Sequence, residues 1–243
     1  MSDTSIYHKL QCFEFFKNLS EVELKSIATQ AKITHLSHNR SLFKEGGKIE
    51  SVYLVLYGSF KIQQTPSEQE PVIFSFLSRG DFLGIAMASL KNAIYPASAI
   101  ANEESAVIEW PLRFFNEKFM FNTQLRQIVH QQISSRFFEF QNDRCMVKSL
   151  APQKLADFIL RTLDRQPKEN GMRLMIPTTR YDIARKIGSQ AETVIRLISA
   201  WTKKGYIRTE DKHIEVLDRA KLEEIRIEKS SRKTSRAITG AAV

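Results

Sequence analysis

Between Ile33 and Trp110 the apolar residues fall in short runs, and this pattern predicts strands at 33–36, 41–43, 52–56, 60–63, 72–77, 97–101 and 106–110. Gly46-Gly47, Gly58-Ser59, Pro66-Ser67 and Gly80-Asp81 punctuate them. Short strands at this density predict a sandwich or barrel. On either side the period becomes helical. Upstream, Ser20 is expected to cap a helix running to Ala31, with Glu23 at the capping-box position and Val22, Leu24 and Ile27 on its apolar stripe. Downstream, Pro111-Leu112-Arg113 opens a helix that breaks near Met120 to Asn122, after which 123–147 runs without glycine or proline.

That long segment repeats Leu125, Val129, Ile133, Phe137, Phe140 and Val147 at coiled-coil-like spacing. A stripe of this length asks for more cover than one small sheet domain supplies. A second copy of the chain across a two-fold axis is the expected partner, and an intramolecular bundle is the alternative. Gln132, Arg136 and Asp143 weaken the seam. At Ser149-Leu150-Ala151-Pro152 the proline cannot continue the preceding ladder, which predicts a hinge. Residues 153–165 resume as a helix with Leu155, Phe158, Ile159 and Leu163 inward, followed by the polar loop QPKENG.

The stretch 178–205, TTRYDIARKIGSQAETVIRLISAWTKKG, reads as two helices joined by a sharp turn at Gly188. Thr178 or Thr179 is placed to cap the first, near 180–187, and Ser189 with Glu192 forms a candidate capping box for the second. At about 100° per residue, Glu192, Ile195, Arg196, Ser199 and Lys203 share one sector while Val194, Leu197, Ile198 and Trp201 lie opposite. One face is core and the other is offered outward. A strand at 172–176 precedes the pair, and YIRTEDKHIEVLD follows as a hairpin around Glu210-Asp211-Lys212. Helix, strand, helix, turn, helix, hairpin is the order of a winged helix-turn-helix, which lays its second helix in the major groove.

Charge reinforces this division. Residues 1–150 hold 16 Lys+Arg against 15 Asp+Glu, whereas 151–243 hold 20 against 12, so most of the net +9 sits with the candidate reader. Such an excess suits a polyanion, because neutralised phosphates supply non-specific affinity. The tail residues Lys229, Arg232, Lys233 and Arg236 either extend that surface or are simply solvated. No run of about 18 apolar residues and no signal-peptide pattern is present, so a cytoplasmic protein without a membrane partner is expected. No nucleophile motif, metal-ligand spacing or phosphate loop argues for an enzyme. His35 and His38 are only a weak metal pair, and lone Cys12 and Cys145 are expected to pack.

The segment TTRYDIARKIGSQAETVIRLISAWTKKGYI, and above all Glu192-Thr193-Val194-Ile195-Arg196, resembles the DNA-binding signature of the Crp/Fnr family. The resemblance spans nearly the whole chain. It implies an α+β protein with an N-terminal double-stranded β-roll of the cyclic-nucleotide-binding type, a long dimerisation helix and a C-terminal winged helix-turn-helix. The corresponding divisions are 1–118, 119–149, 150–225 and a basic tail at 226–243. It also implies a homodimeric transcription regulator that binds double-stranded DNA at an inverted repeat containing T-G-A and touches RNA polymerase through the loops at 63–71 and 166–171. Glu192, Ile195 and Arg196 are then the base readers, Glu192 on a cytosine amine, Arg196 on guanine and Ile195 on a thymine methyl. Thr179, Arg180, Gln190, Thr193, Ser199, Lys203 and Lys212 are assigned to phosphates.

The effector is where this chain departs from the family. Nucleotide-binding members carry Gly-Glu after the second β-roll turn and Arg-Ser about ten residues on. Here Gly84 is followed by Ile85, and Tyr95 and Pro96 stand at the Arg-Ser positions. Without that cation, cyclic AMP is not expected to bind in the family mode, since each charge-assisted bond contributes about 1.5 to 3 kcal/mol. The chain holds only two cysteines, so the four-cysteine iron-sulfur cluster of oxygen-responsive members is not expected either. A pocket around Gly84, Ile85, Tyr95 and Ser98 is left open to an apolar or haem-type ligand, or to filling by side chains. The alternative function is a ligand-sensing β-roll protein whose DNA reader is secondary or redox-switched.

Overall fold

Strand β3 (Ser51–Tyr57) is buried on both faces, which explains its unbroken apolar run Val52 to Leu56. Val52, Leu54 and Leu56 face a layer of helices, while Tyr53 and Val55 face a second sheet. This computed structural model describes residues 3–66, 70–166 and 171–228. The basic tail from Lys229, and residues 67–69 and 167–170 of the two loops assigned to polymerase, lie outside the described residues.

The N-terminal unit begins with α1 (Asp3–Gln11) and α2 (Glu21–Ala28), the latter capped by the Ser20–Glu23 box. Then come β1 (Lys32–Leu36), β2 (Ser41–Phe43), β3, β4 (Ser59–Gln64), β5 (Val72–Ser78), β6 (Phe82–Leu83), β7 (Ser98–Ala101) and β8 (Ser105–Pro111). They form two antiparallel four-stranded sheets, β1-β8-β3-β6 and β2-β7-β4-β5, with an apolar layer between them. Against the outer face of the first sheet pack α1, α2, α3 (Leu112–Phe119) and the start of α4 (Thr123–Cys145). Trp110 is fully buried at this junction, and its indole N–H donates to the carbonyl of Ile27 at 2.7 Å.

Asn122 makes the break between α3 and α4. Its side-chain oxygen accepts from the N–H of Leu125 at 2.9 Å, capping α4, and its amide donates to Glu23 at 2.7 Å. The long helix departs from its expected seam. Leu125 and Val129 are buried in the N-terminal unit's own core and Ile133 packs beside them, so the intramolecular alternative holds for that half. Phe140 and Val147, the latter beyond the end of α4, are exposed and line a cleft toward the next helix, leaving Phe137 as the expected seam residue on the open face, next to the unexpected Phe138. The helix stops at Cys145, and α5 (Ala151–Arg165) starts earlier than its sequence suggests. Pro152 sits in its first turn, where the missing N–H costs nothing.

The C-terminal unit comprises α5, α6 (Arg180–Ile187), α7 (Ala191–Lys203), β9 (Ile207–Glu210), β10 (His213–Val216) and α8 (Arg219–Ile227). Residues 172–176 are not a regular strand. Leu174 N–H donates to Ile214 and Val216 N–H to Met172, both at 2.8 Å, but the N–H of Met175 turns to the Gln166 side chain and Pro177 has none to give. Ile73 and Phe76 of β5 belong to the same apolar cluster as Leu155, Ile183 and Val194, so this unit is docked on the outer face of the second sheet.

Candidate nucleic-acid interface

Thr179 builds the entry to α6: its hydroxyl accepts from the N–H of Asp182 at 3.0 Å and donates to that residue's carboxylate at 2.8 Å. Gly188, left-handed at φ 60°, ends the helix. Gly188 and Ser189 both donate their N–H to the carbonyl of Ala184. Ser189 is thereby spent on closing α6, and Gln190 rather than Ser189 is the N-cap of α7, with no side chain capping it. The expected capping box is absent for that reason, and it leaves the Glu192 carboxylate uncommitted.

The exposed face of α7 carries Glu192, Ile195, Arg196, Ser199 and Lys203, while Val194, Ile198 and Trp201 are buried and Leu197 half-buried. Ile195 is 45% exposed on this face. Glu192 and Arg196 stand one turn apart, yet no ion pair or hydrogen bond holds either one among the described residues. Thr193 lies at the flank, half-buried, and Gln190 is exposed at the helix entry.

The wing turns on Asp211 and Lys212, consecutive left-handed residues at φ 46° and 65°, the geometry of a two-residue type I′ hairpin. Lys212 projects from that tip, and its carbonyl accepts from Thr178 N–H at 2.9 Å. Arg180 is half-buried in the first turn of α6, and burial pulls its guanidinium below the ordinary arginine range. Thr179 and Lys212 line a crevice of about 220 Å³ closed from the other side by His38, Asn39 and Lys61 of the sheet unit. The structure therefore brings the α7 residues together on open surface but turns Thr179 and Lys212 toward the β-sheets.

Of the two alternatives for the β-roll interior, the residues there fit filling by side chains. Tyr95 is core, only 4% exposed, with its ring stacked on Phe43 at 3.8 Å between centroids and its hydroxyl donating to the carbonyl of Ser51 at 3.0 Å. Burial pushes that phenol's pKa up. Gly84 takes φ 84° against the same ring, Ile85 is buried in the helical layer, and the Ser98 hydroxyl is engaged by Glu45 N–H at 2.9 Å. Side chains fill the place. His35 is bonded to the Tyr57 hydroxyl at 3.0 Å, and no group of three metal-ligating side chains occurs among the described residues. Cys12 and Cys145 are exposed, against the expectation that they pack. What the sequence did not signal is the tie between units. Lys61, alternating along a half-exposed strand, meets Asp182 of α6 at 3.0 Å.

Comparison with known proteins places the two units separately. Residues 33–122 match the cyclic nucleotide-binding domain and residues 153–225 the Crp-like helix-turn-helix domain. The chain is 29% identical over 222 residues to the anaerobic regulatory protein of Pasteurella multocida, covering 88% of this chain and 78% of that protein. It is 27% identical over 221 residues to the fumarate and nitrate reduction regulatory protein of Vibrio cholerae, covering 88% and 86% respectively. Among solved structures, FixK2 from Bradyrhizobium japonicum superposes with TM-score 0.71 at 19% identity, covering 80% of this chain and 96% of that one. No described helix is long and apolar enough to cross a membrane.

Proposed function

The chain belongs to the Crp/Fnr family of DNA-binding transcription regulators, and on that premise we propose that it binds, as a homodimer, an inverted repeat with T-G-A half-sites. The observation that carries this reading is the open, unpaired couple of Glu192 and Arg196 on α7. Opposite charges at that spacing ordinarily attract one another on a helix surface. Left apart, the carboxylate is free to accept from a cytosine amine and the guanidinium to fork onto guanine, with Ile195 against a thymine methyl. Gln190, Thr193, Ser199 and Lys203 border this strip, and Thr179, Arg180 and Lys212 join it at the phosphates once α6 leaves the sheet unit.

Dimerisation through α4 is supported by Phe137 and Phe138, 61% and 68% exposed, on a face continued by Ser134, Gln141 and Cys145. Two adjacent phenylalanines bared on one helix ask for an apolar partner. Cyclic AMP is not the effector in this reading, because Tyr95 occupies the interior and Tyr95-Pro96 stand where the family's phosphate-binding Arg-Ser pair would. Contact with RNA polymerase follows from the family and rests on the loops at 63–71 and 166–171, of which 67–69 and 167–170 lie outside the described residues.

Selection of bound duplexes from a random pool tests the proposal. The wild type should enrich a two-fold symmetric T-G-A motif, and Arg196→Ala should lose it, at a cost of about 1 to 3 kcal/mol per half-site, while remaining folded. Lys203→Ala should weaken all sequences alike and lower the salt slope by about one. Enrichment by Arg196→Ala of the same motif would reject the site assignment.

A further inference from the structure

A cleft of about 1050 Å³ separates α4 from α5, with β5 as its floor. That volume lies at the upper end of what small-molecule sites enclose. One stripe of α5 lines it: Lys154, Asp157, Phe158, Arg161 and Arg165 recur at intervals of three or four. Facing them on α4 are Gln132, Ser135 and Glu139, and Ile73 and Phe76 form the floor. Among the described residues of this lining, arginines and lysines outnumber carboxylates seven to four.

Most of these charges already have partners. Asp81 and Glu139 engage Arg136 and Arg165, and Asp143 engages Lys186. Arg161 is satisfied only in part: Nε donates to Asp157 at 2.9 Å, but Nη1 has no acceptor; Nε of Arg185 in the same lining likewise has no hydrogen-bond acceptor, and Arg144 forms no ion pair among the described residues. Lys154, two turns earlier on the same stripe, forms no ion pair among the described residues. A buried charged donor without an acceptor is unfavourable unless something else supplies one. The middle of the cleft also lies away from the proposed dimer seam. At about 100° per residue, Gln132 and Glu139 project roughly 100° or more away from Phe138, while Gln131 and Arg144 at the cleft's edges border the Phe137–Phe138 face.

We propose that this cleft binds an organic anion with an apolar body, its charged end on Arg161 and Lys154 and its body against Ile73, Phe76 and Phe158. Its two walls are the helices on either side of the turn at 146–150, and α5 shares its core with α6 and α7. An occupant bridging α5 and β5 favours one placement of α5 on the sheet unit and so one placement of α7. That coupling, unlike the binding itself, rests on the DNA-reading function proposed above.

Calorimetric titration of the full chain with naphthylacetate and with the uncharged naphthylethanol tests the site directly. The acid should bind at one site per chain and at least about tenfold tighter than the alcohol. Arg161→Lys, which keeps the charge beside Asp157, and Lys154→Gln should each weaken the acid by about tenfold or less without affecting the alcohol. Equal affinity for acid and alcohol, no binding of either at millimolar concentration, or acid binding unchanged in both variants would overturn the site. Saturating acid should then shift affinity for the selected duplex in the wild type, and Arg161→Lys should need about tenfold more acid for the same shift. If the acid binds as stated and the shift is absent, the coupling falls and the site stands. If no duplex is bound with or without acid, the DNA reading falls and the calorimetry still decides the site.

Discussion

Lys61 of β4 and Asp182 of α6, 121 positions apart in the chain, meet at 3.0 Å with both side chains nearly removed from solvent. Asp182 is also the partner of the Thr179 cap, so one carboxylate serves both the local start of α6 and its attachment to the sheets. A second tie lies at the other end of the helix, where Lys186 meets Asp143 of α4 and donates to the carbonyl of Phe74 at 2.6 Å. Between them, α6 is held at both ends against the N-terminal unit.

Lys61→Met leaves the Asp182 carboxylate shielded and short of a counter-charge. Breaking such a pair costs about 3 kcal/mol. Urea titration should record a loss of that order, and limited proteolysis should show faster cutting at 146–150. With Thr179 and Lys212 no longer held toward His38 and Asn39, affinity for the selected duplex should rise. Unchanged proteolysis together with unchanged DNA affinity would mean the tie does not restrain the reader.

The acid limb of stability should report on Glu139. Burial alone would raise its carboxyl, but the guanidiniums of Arg165 and Arg136 and the ammonium of Lys186 prevail and hold it below the usual 4.5. A lowered carboxyl contributes stability above the ordinary carboxylate range and loses it as pH falls through the folded value. Asp157 works in the opposite sense: burial, only partly offset by Arg161, raises it above 3.8, so its ionisation opposes folding as pH rises. Glu139→Gln should therefore be less stable than wild type at neutral pH by about 1 to 3 kcal/mol, and the difference should close on acidification. Thermal unfolding of both proteins across pH 3 to 7 on the order of half-unit steps measures it; a gap independent of pH would contradict the assignment.

At the wing tip, Lys212→Gly separates strain from contact. Glycine accepts φ 65° without the crowding that lysine meets there, so the hairpin should gain a few tenths to about 1 kcal/mol. The same change removes a phosphate ligand, so DNA binding should weaken evenly across sequences. Thermal melts and salt-dependent binding isotherms give the two quantities; weaker binding without any gain in melting temperature would argue that the turn is unstrained.

Phe138→Lys should leave the protomer intact, because the ring is 68% exposed and substitutions on open surface shift stability by about 0.5 kcal/mol or less. Sedimentation should move from dimer to monomer, and duplex affinity should drop with it, since two half-sites are then bound independently. A variant that remains dimeric would move the interface away from this face.

The sequence alone determined most of the elements and their order, though not α1, β6 or α8. Short apolar runs between turn residues specify the strands, the three-to-four spacing specifies α4, α5 and α7, and Gly188 specifies the turn, because each depends on local backbone chemistry and on which side of an element is apolar. The outward strip of Glu192, Ile195 and Arg196 was legible for the same reason: it is what remains when Val194, Ile198 and Trp201 point inward. Tertiary structure alone decided what each apolar stripe packs against. Leu125 and Val129 carry the same spacing as a dimer seam, and only the position of β3 and β8 shows that their own domain covers them. Likewise Tyr95 reads as pocket lining until Phe43 is found stacked on it, and Lys61 reads as a solvated strand residue until Asp182 arrives from α6. Periodicity records that a face is buried; the partner that buries it comes from distant parts of the chain, whose approach no local pattern encodes.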